Sequence, residues 1–247
     1  MPQFGLIGQS LAHSFSRDFF LDKFESLNLT DHDYLNFEIN DLEELPPIVE
    51  AHPELMGFNV TIPFKEEMVT FLDRHTLEAS AVGAVNCVKI VREGENVFWI
   101  GHNTDVYGFQ TSLQNMPGID RVKTALILGT GGAAKSVQWV LDRMKIKHKS
   151  VSRDPLARIN YYNLKPQRVA DVQLIINATP LGTWPDVDEC PPIPYEVIGA
   201  DHLCFDLVYN PEKSLFLAQA EAQGATIQNG LEMLVLQAEK SWEIWNS

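Results

Sequence analysis

The sequence predicts an α/β protein whose second half is a parallel sheet wound with helices, and three observations carry that prediction. Thr124-Ala-Leu-Ile-Leu128 is a short apolar run that stops at Gly129, and beyond Gly131 and Gly132 the residues Val137, Val140, Leu141 and Met144 recur at helical spacing. From there to the C-terminus, strand-like runs alternate with helix-like ones. In the first half, strand signals at 4–7 and 34–39 are each followed by a helical pattern, so the α/β character covers the whole chain.

At 247 residues the chain can hold one large or two modest domains, and 45% hydrophobic with 21% charged residues is ordinary for a globular protein. No apolar run approaches the roughly 18 residues of a membrane span, and Met1-Pro-Gln-Phe-Gly-Leu-Ile-Gly8 lacks the basic and long apolar parts of a secretion signal. The expectation is a cytoplasmic protein. Cys87, Cys190 and Cys204 are scattered and odd in number, with no C-x-x-C spacing, which predicts reduced packing residues and no metal site. A formal charge of −14 argues against nucleic acid or an anionic membrane as partner, because both would be repelled at long range. An anionic ligand must then be held by helix N-termini, hydroxyls and a few placed cations.

The first strand, 4–7, ends at Gly8 and runs into a loop ahead of a helix expected over 17–27. Ser14 and Ser16 stand just before that helix, where a hydroxyl either caps the helix or holds a carboxylate at its positive end. After the strand at 34–39, Asp41 starts a helix with Pro46 and Pro47 near its first turn, since proline breaks a helix interior. The β-rich run 57–62 is closed by Pro63, which places Thr61 and Lys65 at the C-terminal end of a strand, the ligand-facing edge of an α/β sheet. Taken alone, Lys65 also fits a solvent-exposed lysine. Asn86 is a polar amide in an apolar stretch and must find backbone or ligand partners. Strands at 88–91 and 97–100 around Arg92-Glu-Gly-Glu-Asn96 form a hairpin signal. Asp105 then opens a helix running to about Asn115, where an acid also simply suits the helix dipole. Met116-Pro-Gly-Ile-Asp120 ends this helix and marks a boundary.

In the second half, Gly129 allows a sharp turn, Gly131 lets the main chain approach a pyrophosphate, and Ala134 lets the helix sit close on the strand. Gly129, Thr130, Gly131, Gly132 and Ala133 thus form a strand, glycine turn and helix N-terminus suited to phosphate, although the same pattern fits a tight turn with no ligand. The next strand, 148–152, ends at Ser152-Arg153-Asp154. An acid at this place binds the ribose hydroxyls of NAD, and a basic residue accommodates the 2′-phosphate of NADP. Arg153 favours NADP and Asp154 points toward NAD. The strand at 174–177 leads to Thr179, and the run from Leu203 places Leu207 and Tyr209 at the same sheet edge. Ser214 to Gln223 has helical spacing, a last strand fits 225–228, and an amphipathic helix closes the chain with Leu231, Leu234, Val235, Ala238 and Trp242 on one stripe and Gln237 beside it.

Taken in order, Ser14-Phe-Ser16, Asn59-Val-Thr-Ile-Pro-Phe-Lys65, Gly83-Ala-Val-Asn86, Gly101-His-Asn-Thr-Asp105, Gly129-Thr-Gly-Gly-Ala133, Asn177-Ala-Thr-Pro-Leu-Gly182, Asp206-Leu-Val-Tyr209 and Gly230-Leu-Glu-Met-Leu-Val-Leu-Gln237 resemble the shikimate dehydrogenase family. The resemblance implies two α/β domains around a cleft, the second a Rossmann-type doubly wound parallel sheet. It assigns residues 1–104 and 231–247 to substrate binding and 105–230 to NADP binding. It implies NADPH-dependent, reversible reduction of 3-dehydroshikimate to shikimate on the route to chorismate and the aromatic amino acids. The resemblance puts Lys65 and Asp105 in catalytic roles, and surrounds the substrate with Ser14, Ser16, Thr61, Asn86, Tyr209 and Gln237. It gives the cofactor Gly129 to Ala133, Ser152, Arg153, Thr179, Leu207 and Gly230. A small-molecule substrate and a monomer or homodimer follow from the same resemblance. Cys87, Trp184, Asn229 and Asp154 depart from the usual family pattern, and Asp154 keeps an NAD-dependent quinate or shikimate dehydrogenase as an alternative. A dinucleotide-sensing module without turnover is the alternative from another class.

Overall fold

β1 (Gln3–Gly8) pairs in parallel on both sides, with β2 (Asp33–Glu38) and with β3 (Leu55–Val60). It alternates Phe4 and Leu6 toward one face of its sheet and Ile7 toward the other, as the two-residue period of a strand requires. In this computed structural model, which describes residues 1–11 and 14–247, contacts divide the chain into two compact units, residues 1–104 with 238–247 and residues 105–237.

In the first unit α1 (Phe15–Ser26) follows β1, and α2 (Leu45–Ala51) follows β2 through a 3₁₀ turn at Leu42–Glu44. Asp41 and Glu44 close that turn with a capping box, which is why the helical path starts at Asp41 while the regular helix waits until Leu45. Pro46 and Pro47 then sit in the first turn of α2. After β3 come α3 (Met68–Phe71), β4 (Arg74–His75) and α4 (Leu77–Val82), then the antiparallel pair β5 (Cys87–Glu93) and β6 (Asn96–His102). The six strands lie in the order β2-β1-β3-β5-β6-β4, with β3 and β5 antiparallel.

One face of this sheet packs Ile7, Phe58, Val60, Val88 and Ile90 against Leu42, Leu45, Phe64 and Met68. The other packs Phe4, Leu6, Phe20, Phe24 and Tyr34 against Ala238 and Trp245, from the end of the last helix. Each fully buried leucine or phenylalanine here contributes about 1.5–3 kcal/mol. The Trp245 indole donates to the Val88 carbonyl at 3.0 Å and lies so close to β3 that a Cβ on Gly57 would strike its ring.

The second unit begins with α5 (Thr104–Asn115), followed by β7 (Thr124–Leu128), α6 (Gly132–Arg143), β8 (Lys147–Val151), α7 (Pro166–Ala170), β9 (Leu174–Asn177), β10 (Leu203–Asp206), α8 (Leu215–Ala222) and β11 (Thr226–Gln228). All five strands are parallel, in the order β11-β10-β9-β7-β8. The order reverses at β7, so right-handed crossovers place helices on opposite faces and open a ligand crevice beyond the strand ends between β7 and β9. Between β8 and β9 the chain makes turns, one bridge between Ser152 and Asn160, and the five-residue α7, so the sheet has five strands where the six-stranded dinucleotide fold has one more.

Two expectations need correcting, the boundary at 116–120 and the stripe on the last helix. The division between units falls at Thr104 and Asp105, not at 116–120, because α5 is held within the second unit. There Phe109 meets Phe205 edge-on at 5.2 Å, and Ser112 and Asn115 donate to Glu232. The second crossing lies inside the last helix, α9 (Leu231–Trp245), between Gln237 and Ala238. The apolar stripe on α9 is also displaced: Leu231 is 42% exposed, while Met233, Ala238, Ser241 and Trp245 are buried.

Candidate active site

In the first unit, strand direction gathers the substrate-side residues at one sheet edge. β1 and β3 both run toward that edge, β5 starts from it, and β6 returns to it. Thr61 lies one residue beyond β3, its N–H on the Ile7 carbonyl at 2.9 Å, and Gly8 leaves room for the Thr61 methyl. Asn86 immediately precedes β5, and its carbonyl accepts from Val60 N–H at 2.9 Å. Lys65 follows a turn through cis-Pro63 and is tied to the same edge by Val85 N–H donating to its carbonyl at 2.7 Å. Lys65 is half-buried and three residues ahead of α3, so it stands in the turn rather than at a helix start.

Ser14 is the N-cap of α1 and its hydroxyl accepts from Ser16 N–H at 3.3 Å, which leaves its O–H able to donate elsewhere. Ser16 belongs to the first turn of α1, not to the loop before it; Phe15 already has helical backbone once Ser14 caps. The phenol of Tyr34, in the strand that follows, is raised well above its ordinary pKa by burial. Both serines remain half-buried.

Beneath this edge is a buried polar network that sequence reasoning missed. Tyr34 donates to Asn59 Oδ1 at 2.9 Å, and Asn59 Nδ2 donates to the Asn86 carbonyl at 3.1 Å and to Ser241 Oγ at 2.9 Å. Asn86 in turn accepts from Thr104 N–H at 2.6 Å and donates to Thr104 Oγ1 at 2.9 Å. A carboxamide engaged at both ends is fixed in orientation. The sequence signal was present in Asn59, a short amide among apolar strand neighbours, and in Ser241 on an otherwise apolar helix face.

In the second unit, Asp105 is in the first turn of α5 and 5% exposed, and Gln237 is buried with its amide donating to the Leu234 carbonyl at 2.9 Å. Tyr209 is half-buried in the turn after β10. Gly129 has φ +120° and faces the Ala178 carbonyl so closely that a Cβ would stand 2.8 Å from it. Gly131 is different. Its φ of −77° suits any residue, and a Cβ there would meet no protein atom within 4 Å. As N-cap of α6 it provides no side-chain cap, which leaves the first N–H groups of the helix to an outside acceptor. Thr130 and Gly131 are exposed, while Gly132 and Ala133 begin α6 half-buried. These features fit a pyrophosphate.

The ends of the neighbouring strands complete this edge. Ser152 is buried, and its hydroxyl accepts from Asp154 N–H at 3.1 Å. Arg153 is exposed, whereas the Asp154 carboxylate accepts from Leu156 N–H at 2.8 Å and so closes its own turn. Asn160 ties the rest of the turn, donating to the carbonyls of Pro155 and Ala157 at 2.9 and 3.0 Å. Asp154 therefore has a structural occupation that the residue pattern alone did not show. Thr179, Leu207 and Gly230 lie at the ends of β9, β10 and β11. Gly230 N–H donates to the Val208 carbonyl at 3.1 Å, and a Cβ on Gly230 would collide with the Leu207 carbonyl.

Residues 6–88 match the family model of the shikimate dehydrogenase substrate binding domain. A shikimate dehydrogenase (NADP(+)) of Methanococcus aeolicus is 35% identical over 98% of this chain and 90% of its own length. The chain belongs to the shikimate dehydrogenase family. Among solved structures, the shikimate 5-dehydrogenase of Thermus thermophilus in complex with NADP(H) and shikimate superposes with a TM-score of 0.82 at 31% identity, covering 99% of this chain and 93% of that one. The shikimate 5-dehydrogenase of Listeria monocytogenes, in complex with shikimate and NAD, gives 0.76 at 27% identity over 100% and 92%.

Within this family frame two of the departures from pattern have local explanations. Asn229 stands just ahead of α9, its carboxamide oxygen accepting from Leu231 N–H at 3.2 Å and its nitrogen donating to the Glu212 carbonyl at 2.8 Å, a donation an aspartate could not make. Cys87 is fully buried against the aromatic core, and burial pushes its thiol up to about 12. All three cysteines are free. No described helix is long and apolar enough to cross a membrane.

Proposed function

We propose that this chain is an NADP-dependent oxidoreductase acting on a CH–OH group, which reversibly reduces 3-dehydroshikimate to shikimate for aromatic amino acid biosynthesis. The observation that carries this reading is the match of nearly the whole chain to NADP-dependent shikimate dehydrogenases. The working arrangement pairs residues 1–104 and 231–247 as the substrate-binding part with 105–230 as the cofactor-binding part, in a cytoplasmic enzyme acting on free small molecules.

The site roles follow from chemistry. Ser14 and Ser16 hold the substrate carboxylate, Ser16 from the positive first turn of α1. Thr61, Asn86, Tyr209 and Gln237 bond its hydroxyls. Gly129 to Ala133 hold the pyrophosphate, Ser152 and Arg153 the 2′-phosphate end, and Thr179, Leu207 and Gly230 the nicotinamide end. When bound, the dinucleotide supplies the hydride that the C3 carbon accepts. As the carbonyl becomes an alkoxide, the Lys65 ammonium stabilises the growing charge and gives up one proton to that oxygen, which completes the hydroxyl. Asp105 orients the lysine and a substrate hydroxyl. In the oxidative direction neutral Lys65 takes the proton back.

The test is oxidation of shikimate by the purified protein, with NADP and NAD in parallel and quinate as second substrate. Turnover with shikimate and NADP that is lost in Lys65→Ala supports the proposal. A preference for quinate or NAD would return the weight to the alternative that Asp154 raised, and cofactor binding without turnover would indicate a sensor.

A further inference from the structure

The second unit buries a carboxylate that the proposed reaction does not use. Asp206, the last residue of β10, is fully buried. Its Oδ1 accepts from Asn177 Nδ2 at 2.9 Å and from Val208 N–H at 2.9 Å, and its Oδ2 accepts from the Ser214 hydroxyl at the N-cap of α8. Asn177 ends β9 beside it, and its Oδ1 accepts from both Thr179 N–H at 3.0 Å and Thr179 Oγ1 at 2.6 Å. Leu207 N–H donates to the Asn177 carbonyl at 2.9 Å.

A carboxylate has only acceptors, whereas a carboxamide has an acceptor end and a donor end of nearly the same shape. Asp206 therefore decides which way Asn177 faces: the amide nitrogen must turn to the carboxylate, and the amide oxygen is left for Thr179. The same carboxylate holds Val208 N–H and so fixes the turn that carries Leu207 and supports Gly230. Taking the cofactor assignment of Thr179, Leu207 and Gly230 as given, we propose that Asp206 is the positioning residue that aligns these three cofactor-contacting turns through Asn177 and Val208.

Protonation of Asp206 gives the positioning role a signature in pH. Burial raises the Asp206 carboxyl to about 6, against the opposing hydrogen bonds from Ser214, Val208 and Asn177. The titratable groups that face it are the Cys204 thiol on its own strand, raised to about 12 by burial and by Asp206, and the Tyr195 hydroxyl, raised further by burial. Both stay neutral between pH 5 and 8. In the turn ahead of α8, Lys213 is paired at the surface with Glu221 at 2.7 Å. Protonation of Asp206 weakens its hold on Asn177, because a neutral acceptor makes a weaker bond than a charged one.

The experiment is a fluorescence titration of NADPH onto wild type, Asp206→Ala and Asp206→Asn from pH 5 to 8, with shikimate KM measured at saturating NADP. Asp206→Ala is expected to weaken NADPH binding about tenfold at pH 8 while shikimate KM stays within twofold. Asp206→Asn keeps the size but not the charge, and its Kd relative to wild type should be several-fold higher at pH 8 and approach one as the pH falls through about 6. The 2′-phosphate, itself titrating at about 6, cancels in that ratio. A folded Asp206→Ala with Kd within twofold of wild type, or a folded Asp206→Asn with Kd equal to that of wild type at pH 8, would overturn the positioning role. If Asp206→Ala does not fold, the Kd of Asp206→Asn at pH 8 alone decides. Wild type that binds no NADPH would remove the cofactor assignment and this proposal together, an outcome distinct from failure in the variants only.

Discussion

At the scale of single residues, Lys65 has its backbone fixed in the turn after β3. Its carbonyl accepts from Val85 N–H, and the residue is half-buried. As the assigned proton donor, its replacement with alanine should leave NADPH affinity within twofold of wild type and lower kcat by about two to four decades, the typical scale for such a group. Steady-state rates with a thermal melt as control check this. The cofactor residues allow a sharper prediction. Because the Asp154 carboxylate is turned onto Leu156 N–H, Asp154→Asn, which keeps that acceptor, should leave the NADP-over-NAD ratio of kcat/KM within about twofold. Arg153→Ala should lower the same ratio tenfold or more, since it removes the one cation of that turn assigned to the 2′-phosphate. The residue types were legible in sequence: a lysine at a strand edge, serines before a helix, an arginine after a second strand. What Asp154 does was not, because an Asx-type turn and a ribose ligand call for the same side chain, and only the position of Leu156 N–H tells them apart.

At the scale of elements, β3 and α9 define each other through Gly57 and Trp245. A methyl at Gly57 would meet both the indole and the Val88 carbonyl, and neither the rigid ring nor the strand backbone can give way without disturbing the Trp245–Val88 hydrogen bond. Gly57→Ala should destabilise the first unit by about 1–3 kcal/mol, as overpacking of a core does. A urea titration followed by tryptophan fluorescence measures it, and a change below 0.5 kcal/mol would mean that the ring swings aside freely. Most strands were legible because each is a short apolar run bounded by glycine, proline or a polar turn; β7 with Gly129 is the plainest instance. α4 and α7 were not anticipated, being six and five residues long and too short to show a period. The stripe on α9 was misread for another reason. Ser241 and Gln237 are polar but buried, while Leu231 is apolar and 42% exposed, so hydropathy pointed one position away from the face that packs. The division of the chain at Thr104 depends on where α5 finds partners, in Phe205 and Glu232, nearly a hundred residues or more along the chain, and no local pattern carries that.

At the scale of the whole molecule, charge and pH act together. The net charge of −14 was legible from composition, while the place of any one carboxylate in the core was not. Asp206 has a consequence for folding, since burial lifts it from an ordinary 3.8 to about 6. In the folded state it binds its proton more readily than in the unfolded chain, so between about pH 4 and 6 the native state holds more protons, and stability falls as pH rises through that window. Above it the loss is complete, on the order of 3 kcal/mol for a shift of about two units. Asp206→Asn has no such titration. Its stability deficit relative to wild type should therefore be largest near pH 4.5 and shrink toward pH 7, opposite in direction to its expected deficit in NADPH affinity. Urea midpoints of both proteins across pH 4.5 to 8 give the difference curve directly, with every other carboxylate common to both. A difference that is flat with pH would show that the three hydrogen bonds on the carboxylate offset its burial and keep it ionised throughout. The acid weakening of cofactor binding would then have to come from the 2′-phosphate alone.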